Sequence, residues 1–206
     1  MSVLDKALAA ITPAPSAERR AQATEDARAA AVPGDWLAMA LDHHDEIRLG
    51  FRKGGSAATP AERSQAMRAL ALILNGHSQA EEVVLYPAMA QHGHKSQAGV
   101  AYSEQTTVKM QMAELENISP SEPEWLDKWA HIEGAVLTHM YEEEHGWFIH
   151  LNKHAPDQDR LTSRFAEEYS RYVGVSPESC YLHGPVASGG RPHRTADHRH
   201  DQRPGV

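Results

Sequence analysis

The chain has 206 residues and carries 28 Asp and Glu against 20 Lys and Arg, a formal net charge of −8. Because no basic stripe accompanies this acidic balance, it argues against nucleic acid as the main partner. One cysteine excludes an intramolecular disulfide, and the apolar runs are too short to span a bilayer. The first residues lack the continuous apolar segment of a secretory signal, so we expect a cytoplasmic protein.

Helical patterns begin near the N-terminus. Residues 16–31 predict a polar helix that starts at a serine and has few large apolar side chains, so we expect it to pack loosely. A Pro-Gly turn follows, and Asp35 then caps a first core helix that runs to about Lys53, where two glycines stop it. We therefore assign residues 1–33 to an N-terminal helical extension.

Apolar residues at steps of three and four predict four further helices. Thr59 caps a long helix that reaches about Gln91 and contains Gly76. That glycine is tolerated either because a neighbouring helix approaches closely or because the helix kinks. The remaining helices cover roughly residues 96–118, 123–153 and 157–173.

Long helices with short loops, and no β pattern, predict an all-α fold. We expect an up-down-up-down four-helix bundle at residues 34–174, with the extra N-terminal helix and a fifth helix at its C-terminal end. Residues 175–206 are rich in Gly, Pro, His and Arg with few apolar side chains, so we expect a disordered tail.

Two stretches of the chain repeat one another: HSQAEEVVLY at residues 77–86 and HMYEEEHGWF at residues 139–148. In each, a histidine and the glutamate four residues later share a helix face, about 6 Å apart. Both faces are otherwise apolar, and an unpaired buried carboxylate costs several kcal/mol. A metal ion removes that cost, and imidazole with carboxylate suits iron, manganese or zinc. The pairs are His77 with Glu81 and His139 with Glu143.

The first core helix offers one more ligand, because His43 and His44 are adjacent and only one can face the core. The apolar stripe selects His44 and leaves His43 near the rim, as a supporting or solvent-facing residue. Among the remaining side chains of the repeats, we expect those of Glu82, Glu142 and Glu144 on the solvated face of their helices. We expect Tyr86 and Phe148 to have packing roles.

Three pieces in order, DHHDEIR (42–48), HSQAEEVVLYP (77–87) and HMYEEEHGWF (139–148), resemble the hemerythrin-like, HHE cation-binding family. The resemblance covers about residues 36–153. It implies a non-haem iron site, usually of two ions, in the core of a four-helix bundle. Members of this family bind or react with dioxygen, peroxide or nitric oxide.

Carried over residue by residue, the resemblance implies that two carboxylates, Glu81 and Glu143, bridge the ions. It implies that His44 and His77 bind one ion and that His139 binds the other.

The third core helix departs from this pattern. Counting back from His139 by the spacing of the other half reaches Gln105 where the family has a histidine, and one turn on stands Lys109. An amide is a poor donor to a transition metal, and a buried ammonium group could replace the charge of an absent ion. We therefore expect one well-held metal and a second position that is weak, open or missing, unless Tyr102 or Glu104 supplies a donor. Tyr102 itself reads as a core tyrosine with a satisfied hydroxyl, and binding to iron stays open.

Three functions fit these features, and we favour the first, binding or sensing of a small diatomic or peroxide ligand. The second is a metal-dependent oxidase, oxygenase or peroxidase acting on a small organic substrate, for which a substrate-sized pocket reaching the metal is the discriminating feature. The third is a degenerate bundle that binds a protein partner, against which the retained donors argue. Whether the protein is an enzyme is left open, and neither nucleic acid nor membrane is expected as a partner.

Overall fold

The structure, a computed structural model, describes residues 14–177, and this part of the chain is helical without strands. The helices are α1 (Ala17–Ala30), α2 (Trp36–Gly55), α3 (Pro60–Ala80), α4 (Tyr86–Gln91), α5 (Lys95–Glu116), α6 (Pro123–Glu142), α7 (Phe148–His154) and α8 (Gln158–Val173). A first π turn, Glu81–Leu85, joins α3 to α4 without a break, and a second π turn, Glu143–Trp147, joins α6 to α7. The predicted all-α bundle is confirmed.

The helix starts follow their capping residues. Side chains of Ser16, Asp35 and Thr59 each accept a backbone N–H in the first turn of α1, α2 and α3. The Glu62 carboxylate accepts a hydrogen bond from the Thr59 backbone N–H, which completes a capping box. The first core helix extends through the Gly54-Gly55 pair and ends at Gly55, slightly beyond the predicted end.

Two hydrophobic clusters fill the bundle. The first core cluster contains Trp36, Phe148 and Phe165 among others, and the second contains Phe51 and Trp129. The buried histidines of α2, α3 and α6, and the glutamates that begin the two π turns, fall where one cluster gives way to the other. The polar site is therefore one layer inside an otherwise apolar core.

Helix α8 packs across α2 and α3 and closes one side of the bundle. It crosses α3 at Gly76, where a Cβ atom would lie 2.8 Å from Val173 Cγ1 and 3.3 Å from the Tyr169 ring. Of the two explanations offered for this glycine, close approach of a neighbouring helix is thus the correct one.

Helix α1 does not pack loosely. Ala23 and Ala27 are buried, because their small side chains let the helix approach the bundle closely. Thr24 donates a hydrogen bond to Glu144, and Arg28 binds two aspartates of α2. The expectation of loose packing was wrong because it counted large apolar residues and not these polar contacts.

Within residues 14–177, no helix combines the length and the apolar character that crossing a bilayer requires. The predicted disordered tail lies, from residue 178 onward, outside the described residues, as does the start of the N-terminal extension.

Candidate metal centre

The five side chains predicted as metal ligands converge on the polar layer of the bundle. His44 comes from α2, His77 from α3 and His139 from α6, while Glu81 and Glu143 are the first residues of the two π turns. All five are buried, and the imidazole of His44 and both carboxylates are completely enclosed. The helix phase read from the sequence therefore agrees with the burial, including the choice of His44 for the core.

Four of these side chains present their donor atoms to a common point. His44 Nε2 lies 3.1 Å from His77 Nε2 and 3.3 Å from Glu143 Oε2. His77 Nε2 lies 3.2 Å from Glu81 Oε1, and all four residues offer donor atoms within 4.8 Å of one another. Although these atoms are close, neither carboxylate oxygen has a hydrogen-bond partner. Buried acceptors that face imidazole nitrogens without a hydrogen bond fit a bound cation.

The two carboxyl groups also differ in their acidity. Burial and the nearby charge of Glu143 raise the pKa of Glu81 well above its usual range. Burial alone would raise the pKa of Glu143 too, but the imidazoles of His139 and His44 outweigh it and lower that pKa. A cation bound at these oxygens would favour the ionised form of both carboxyl groups.

On the opposite side of the carboxylates lies a second group of donors. His139 Nε2 is 3.1 Å from Glu143 Oε1. The Tyr86 hydroxyl is 3.3 Å from Glu81 Oε2, 3.1 Å from Glu143 Oε1 and 3.2 Å from His139 Nε2. Gln105 Nε2 donates to Glu81 Oε2 at 2.5 Å and to the Tyr86 hydroxyl oxygen at 2.6 Å. The sequence assigned Tyr86 to packing, and its ring is indeed buried in the first core cluster. The sequence did not predict that its hydroxyl lies within hydrogen-bonding distance of both carboxylates and of His139.

Carboxylates outside the group hold two of the imidazoles by their other nitrogen. His44 Nδ1 donates to Glu144 at 2.7 Å, and His139 Nδ1 donates to Glu104 at 2.8 Å. A carboxylate can only accept these protons, so each imidazole is left with Nε2 directed into the site. Such partners commonly orient histidine ligands of metal ions.

The predicted position of Glu144 was wrong. It was assigned to the solvated face, yet it is completely buried between His44, Arg48 and Thr24, with Arg48 donating at 2.6 Å. Of the other two glutamates assigned there, Glu142 is exposed as predicted and Glu82 is half-buried.

The first π turn explains why regular periodicity did not place the Tyr86 hydroxyl in the site, whereas Glu144 is buried by its contacts with α1 and α2. In the first π turn the Tyr86 N–H binds the carbonyl of Glu81, five residues back instead of four. The extra residue turns the following side chain by about one helix position, so that Tyr86 shares a face with Glu81. The second π turn does the same after Glu143. The signal in the sequence is the aromatic residue five positions after the glutamate in both repeats, Tyr86 and Phe148.

Gln105 is buried in the site, but the other side chains of α5 that the sequence singled out do not lie among the buried carboxylates. Lys109 is half-exposed and pairs with Glu82 at 2.6 Å, so its charge is not beside the buried carboxylates. Tyr102 is 38% exposed and donates to the carbonyl of Glu82 at 2.6 Å, so it is neither a core residue nor directed into the site. Glu104 reaches the site only through His139.

His43 is buried and not solvent-facing, because α8 covers it. Its ring stacks on Tyr169 with centroids 3.7 Å apart and lies edge-on to His77 at 5.6 Å. Burial and the neighbouring His44 lower the pKa of His43 to about 3. The imidazole of His43 is therefore neutral, and it packs against the ring of His77 without pointing into the site.

A cleft of about 710 Å³ opens between α5 and the continuous helix formed by α6, the second π turn and α7. It reaches the candidate ligands His139 and Glu143. Its walls include Val100, Ala101 and Trp147, and its lining includes His139 and Glu143. Small-molecule sites commonly have volumes of about 300–1,000 Å³. The cleft therefore has room for a small organic molecule beside the His139 side of the site, a feature that sequence alone did not reveal.

Comparisons with known proteins agree with this geometry. The chain is similar to a DNA nickase from Nostoc sp. (strain PCC 7120 / SAG 25.82 / UTEX 2576), with 25% identity over 126 residues, which are 61% of this chain and 35% of that protein. The chain thus spans well under half the length of that relative. No solved structure matches the chain. The family model of the hemerythrin HHE cation binding domain matches residues 37–168, a range that contains all five converging ligand candidates. The chain therefore belongs to the hemerythrin HHE cation-binding family.

Proposed function

We propose that this protein holds non-haem iron at the buried His and Glu donors and binds or senses a small ligand there, such as dioxygen, peroxide or nitric oxide. The observation that carries the proposal is the pair of buried carboxylate oxygens, Glu81 Oε1 and Glu143 Oε2, which face imidazole nitrogens but have no hydrogen-bond partner. A cation satisfies all of these lone pairs at once, whereas a purely structural core would leave them unpaired.

The roles of the residues follow from their contacts. His44, His77, Glu81 and Glu143 would hold the ion, and Glu144 would keep His44 in the tautomer that directs Nε2 inward. Iron, when bound, supplies a redox-active cation to which a small ligand can bind, and manganese or zinc would suit the same donor types. The cleft beside His139 gives a small ligand a route from solvent.

A second candidate function is oxidation of a small organic substrate at the same metal. The specific observation in its favour is the size of the cleft, which exceeds what a diatomic molecule needs and which is lined by Val100, Ala101 and Trp147 beside His139. A degenerate bundle that only binds a protein partner is disfavoured, because such a role gives no reason to bury five ligand-type side chains together.

The test begins with the chain reduced and loaded anaerobically with ferrous iron. Metal content, followed by optical spectra on addition of nitric oxide, dioxygen or hydrogen peroxide, should show reversible or stoichiometric changes in the wild type and none in Glu81→Ala. Continued consumption of dioxygen or peroxide in the presence of small aromatic or aliphatic substrates would instead favour the enzyme. A chain that takes up no metal would refute both functions.

Nucleic acid remains an unexpected partner in this proposal. The relative named a DNA nickase shares only part of its length with this chain, and the net charge of −8 opposes binding to a polyanion. We expect supercoiled plasmid to stay intact with the iron-loaded protein in low salt. Nicking that disappears in Glu81→Ala would contradict this expectation.

A further inference from the structure

We propose that Tyr86 is a metal ligand, whose hydroxyl oxygen completes a second metal position formed with His139, Glu81 and Glu143. The proposal rests on the proposed metal-binding function and extends it, because it predicts two ions per chain where Gln105 in place of histidine suggested a depleted site. The missing imidazole on α5 is replaced by a phenol oxygen from the start of α4.

The number of available protons gives the first argument. Three polar atoms surround the Tyr86 hydroxyl, namely Glu81 Oε2, Glu143 Oε1 and His139 Nε2. The hydroxyl has one proton and can donate it to one of them. His139 donates its Nδ1 proton to Glu104, and Gln105 donates one proton to Glu81. A cation held by the two carboxylate oxygens, the phenol oxygen and a neutral His139 Nε2 would satisfy all four atoms together.

The distances give the second argument. Hydrogen bonds from a hydroxyl to a carboxylate are about 2.5–2.7 Å long, but Tyr86 lies 3.3 and 3.1 Å from the two carboxylates. Atoms bound to one ion at about 2.0–2.2 Å lie roughly 2.9–3.5 Å from one another. The Tyr86 separations match this second range. The contacts of Gln105 Nε2 with Glu81 Oε2 and with the Tyr86 oxygen are shorter, at 2.5 and 2.6 Å.

The first donor group gives the third argument, because it shows the same spacing. There, the separations that join His44 Nε2, His77 Nε2 and the near oxygens of Glu81 and Glu143 are 3.1, 3.2 and 3.3 Å. Each group contains one oxygen of each carboxylate and two further donors. The first adds two imidazoles, and the second adds one imidazole and one phenol.

Gln105 then has a definite place in the site. Its amide nitrogen donates to Glu81 Oε2 and to the Tyr86 oxygen, both of which are anionic when an ion is bound. It positions these two oxygens and is not itself a ligand. If Tyr86 holds the ion, its phenol proton would leave to solvent and its oxygen would bind the metal instead, as tyrosine does for iron in some haem proteins.

The test uses the full chain, stripped of metal, reloaded with ferrous iron without oxygen and then oxidised to ferric iron. We expect two irons per chain and a visible phenolate-to-iron charge-transfer band with tyrosine vibrations in its resonance Raman spectrum. Tyr86→Phe keeps the ring that packs on Tyr102 and Trp147 but removes the oxygen. It should lose the band and bind the second iron at least tenfold more weakly, so that about one iron remains.

Tyr102→Phe is the matched control, because its ring touches Tyr86 while its hydroxyl is bonded to the Glu82 carbonyl outside the site. It should keep both irons and the band. Tyr86→His restores a donor of another type, and it should recover the second iron without the phenolate band. If Tyr86→Phe does not fold, the band in the wild type and in Tyr102→Phe still decides the question.

A wild type with one iron and no phenolate band overturns the proposal but leaves the proposed metal function intact, since the first donor group is then occupied alone. Retention of two irons and an unchanged spectrum in Tyr86→Phe also overturns it. A wild type that binds no iron overturns both.

Discussion

At the scale of single residues, Glu144 orients the imidazole of the candidate ligand His44. It is buried, accepts the Nδ1 proton of His44, and is itself held by Arg48 and by Thr24 of α1. Burial would raise the pKa of Glu144, but the hydrogen bond and charge of His44 outweigh it, with a further contribution from Arg48, and lower that pKa. The group is thus kept ionised, which is the state that fixes the His44 tautomer.

Glu144→Gln tests this contact. The amide keeps the shape but carries no charge, and it can turn an N–H toward His44 Nδ1, which would favour the wrong tautomer. Because carboxylate partners of metal-bound histidines typically contribute 10–100-fold to metal affinity, we expect a loss of about that size. The measurement is competition with a chromophoric chelator. Glu142→Gln, exposed two residues earlier, should bind metal like the wild type.

The buried His43 predicts sensitivity to acid. Its pKa is lowered to about 3 by burial and by His44, against about 6.5 in an unfolded chain. Above pH 6.5 both states are neutral and His43 costs nothing. As the pH falls from 6.5 toward 3 the unfolded chain takes up the proton and the folded one does not, so stability falls by roughly 1.4 kcal/mol per pH unit.

His43→Phe should remove this contribution while it keeps the stacking on Tyr169 and Phe165. Urea unfolding of the chelator-treated protein at pH 7 and pH 5 should show a smaller loss of stability in the variant, by about 2 kcal/mol. His131→Gln changes an exposed histidine and should leave the loss as it is in the wild type. Equal losses in the wild type and in His43→Phe would show that His43 is not the group concerned.

At the scale of elements, the π turns mark the limit of what the sequence predicted. Steps of three and four correctly placed His44, His77, Glu81, His139 and Glu143 on buried faces, since each lies within or at the end of a regular helix. The same steps gave the Tyr86 hydroxyl, which follows the extra residue of the first π turn, no role in the site. Apart from the aromatic residue five positions after each glutamate, nothing in the local composition indicates the extra residue.

Deletion of Val83 gives a direct test of the first π turn. Val83 is 40% exposed, and its removal would turn the bond between residues 81 and 86 into a regular α-helical one without changing the face that Tyr86 presents. We expect metal content and melting temperature close to those of the wild type. Deletion of Leu72, also exposed but within regular α3, should rotate the preceding turns by about 100° and remove Leu70 from the core. Equal damage from both deletions would contradict this account.

The crossing of α3 and α8 depends on Gly76. A Cβ atom there would meet Val173 Cγ1 at 2.8 Å, so Gly76→Ala should push α8 away and destabilise the fold by about 1–3 kcal/mol despite the better helix propensity of alanine. Gly134→Ala, in α6 with nothing near its Cβ position, should stabilise by up to about 1 kcal/mol. Thermal unfolding of both variants measures the difference. A stabilised Gly76→Ala would mean that the helices do not approach this closely.

At the scale of the whole molecule, the polar layer separates two apolar clusters that belong to the same helices. The first core cluster includes residues of α8 and the second includes residues of the Trp-rich start of α6, so each is built partly from a segment that the other does not contain. What the two share is the layer of His and Glu side chains from α2, α3 and α6. In the metal-free chain this layer is a buried group of carboxylates and imidazoles with several unsatisfied atoms, each of which costs free energy in the native state.

Metal removal should therefore weaken the molecule as a whole. An ion bound to the native state alone adds stability by mass action, about 2.7 kcal/mol when its free concentration is a hundred times its dissociation constant. We expect a chelator to lower the melting temperature of the wild type by several degrees, and Glu81→Ala or Glu143→Ala to melt at the same temperature with or without chelator. Glu82→Ala changes the half-exposed neighbour that pairs with Lys109, and it should keep the full response to the chelator. The measurement is thermal unfolding with parallel metal analysis, because a fall in melting temperature counts only if metal leaves the protein. If Glu81→Ala and Glu143→Ala keep wild-type metal content and the same response to chelator, the ion is held elsewhere and the buried layer is not the metal site.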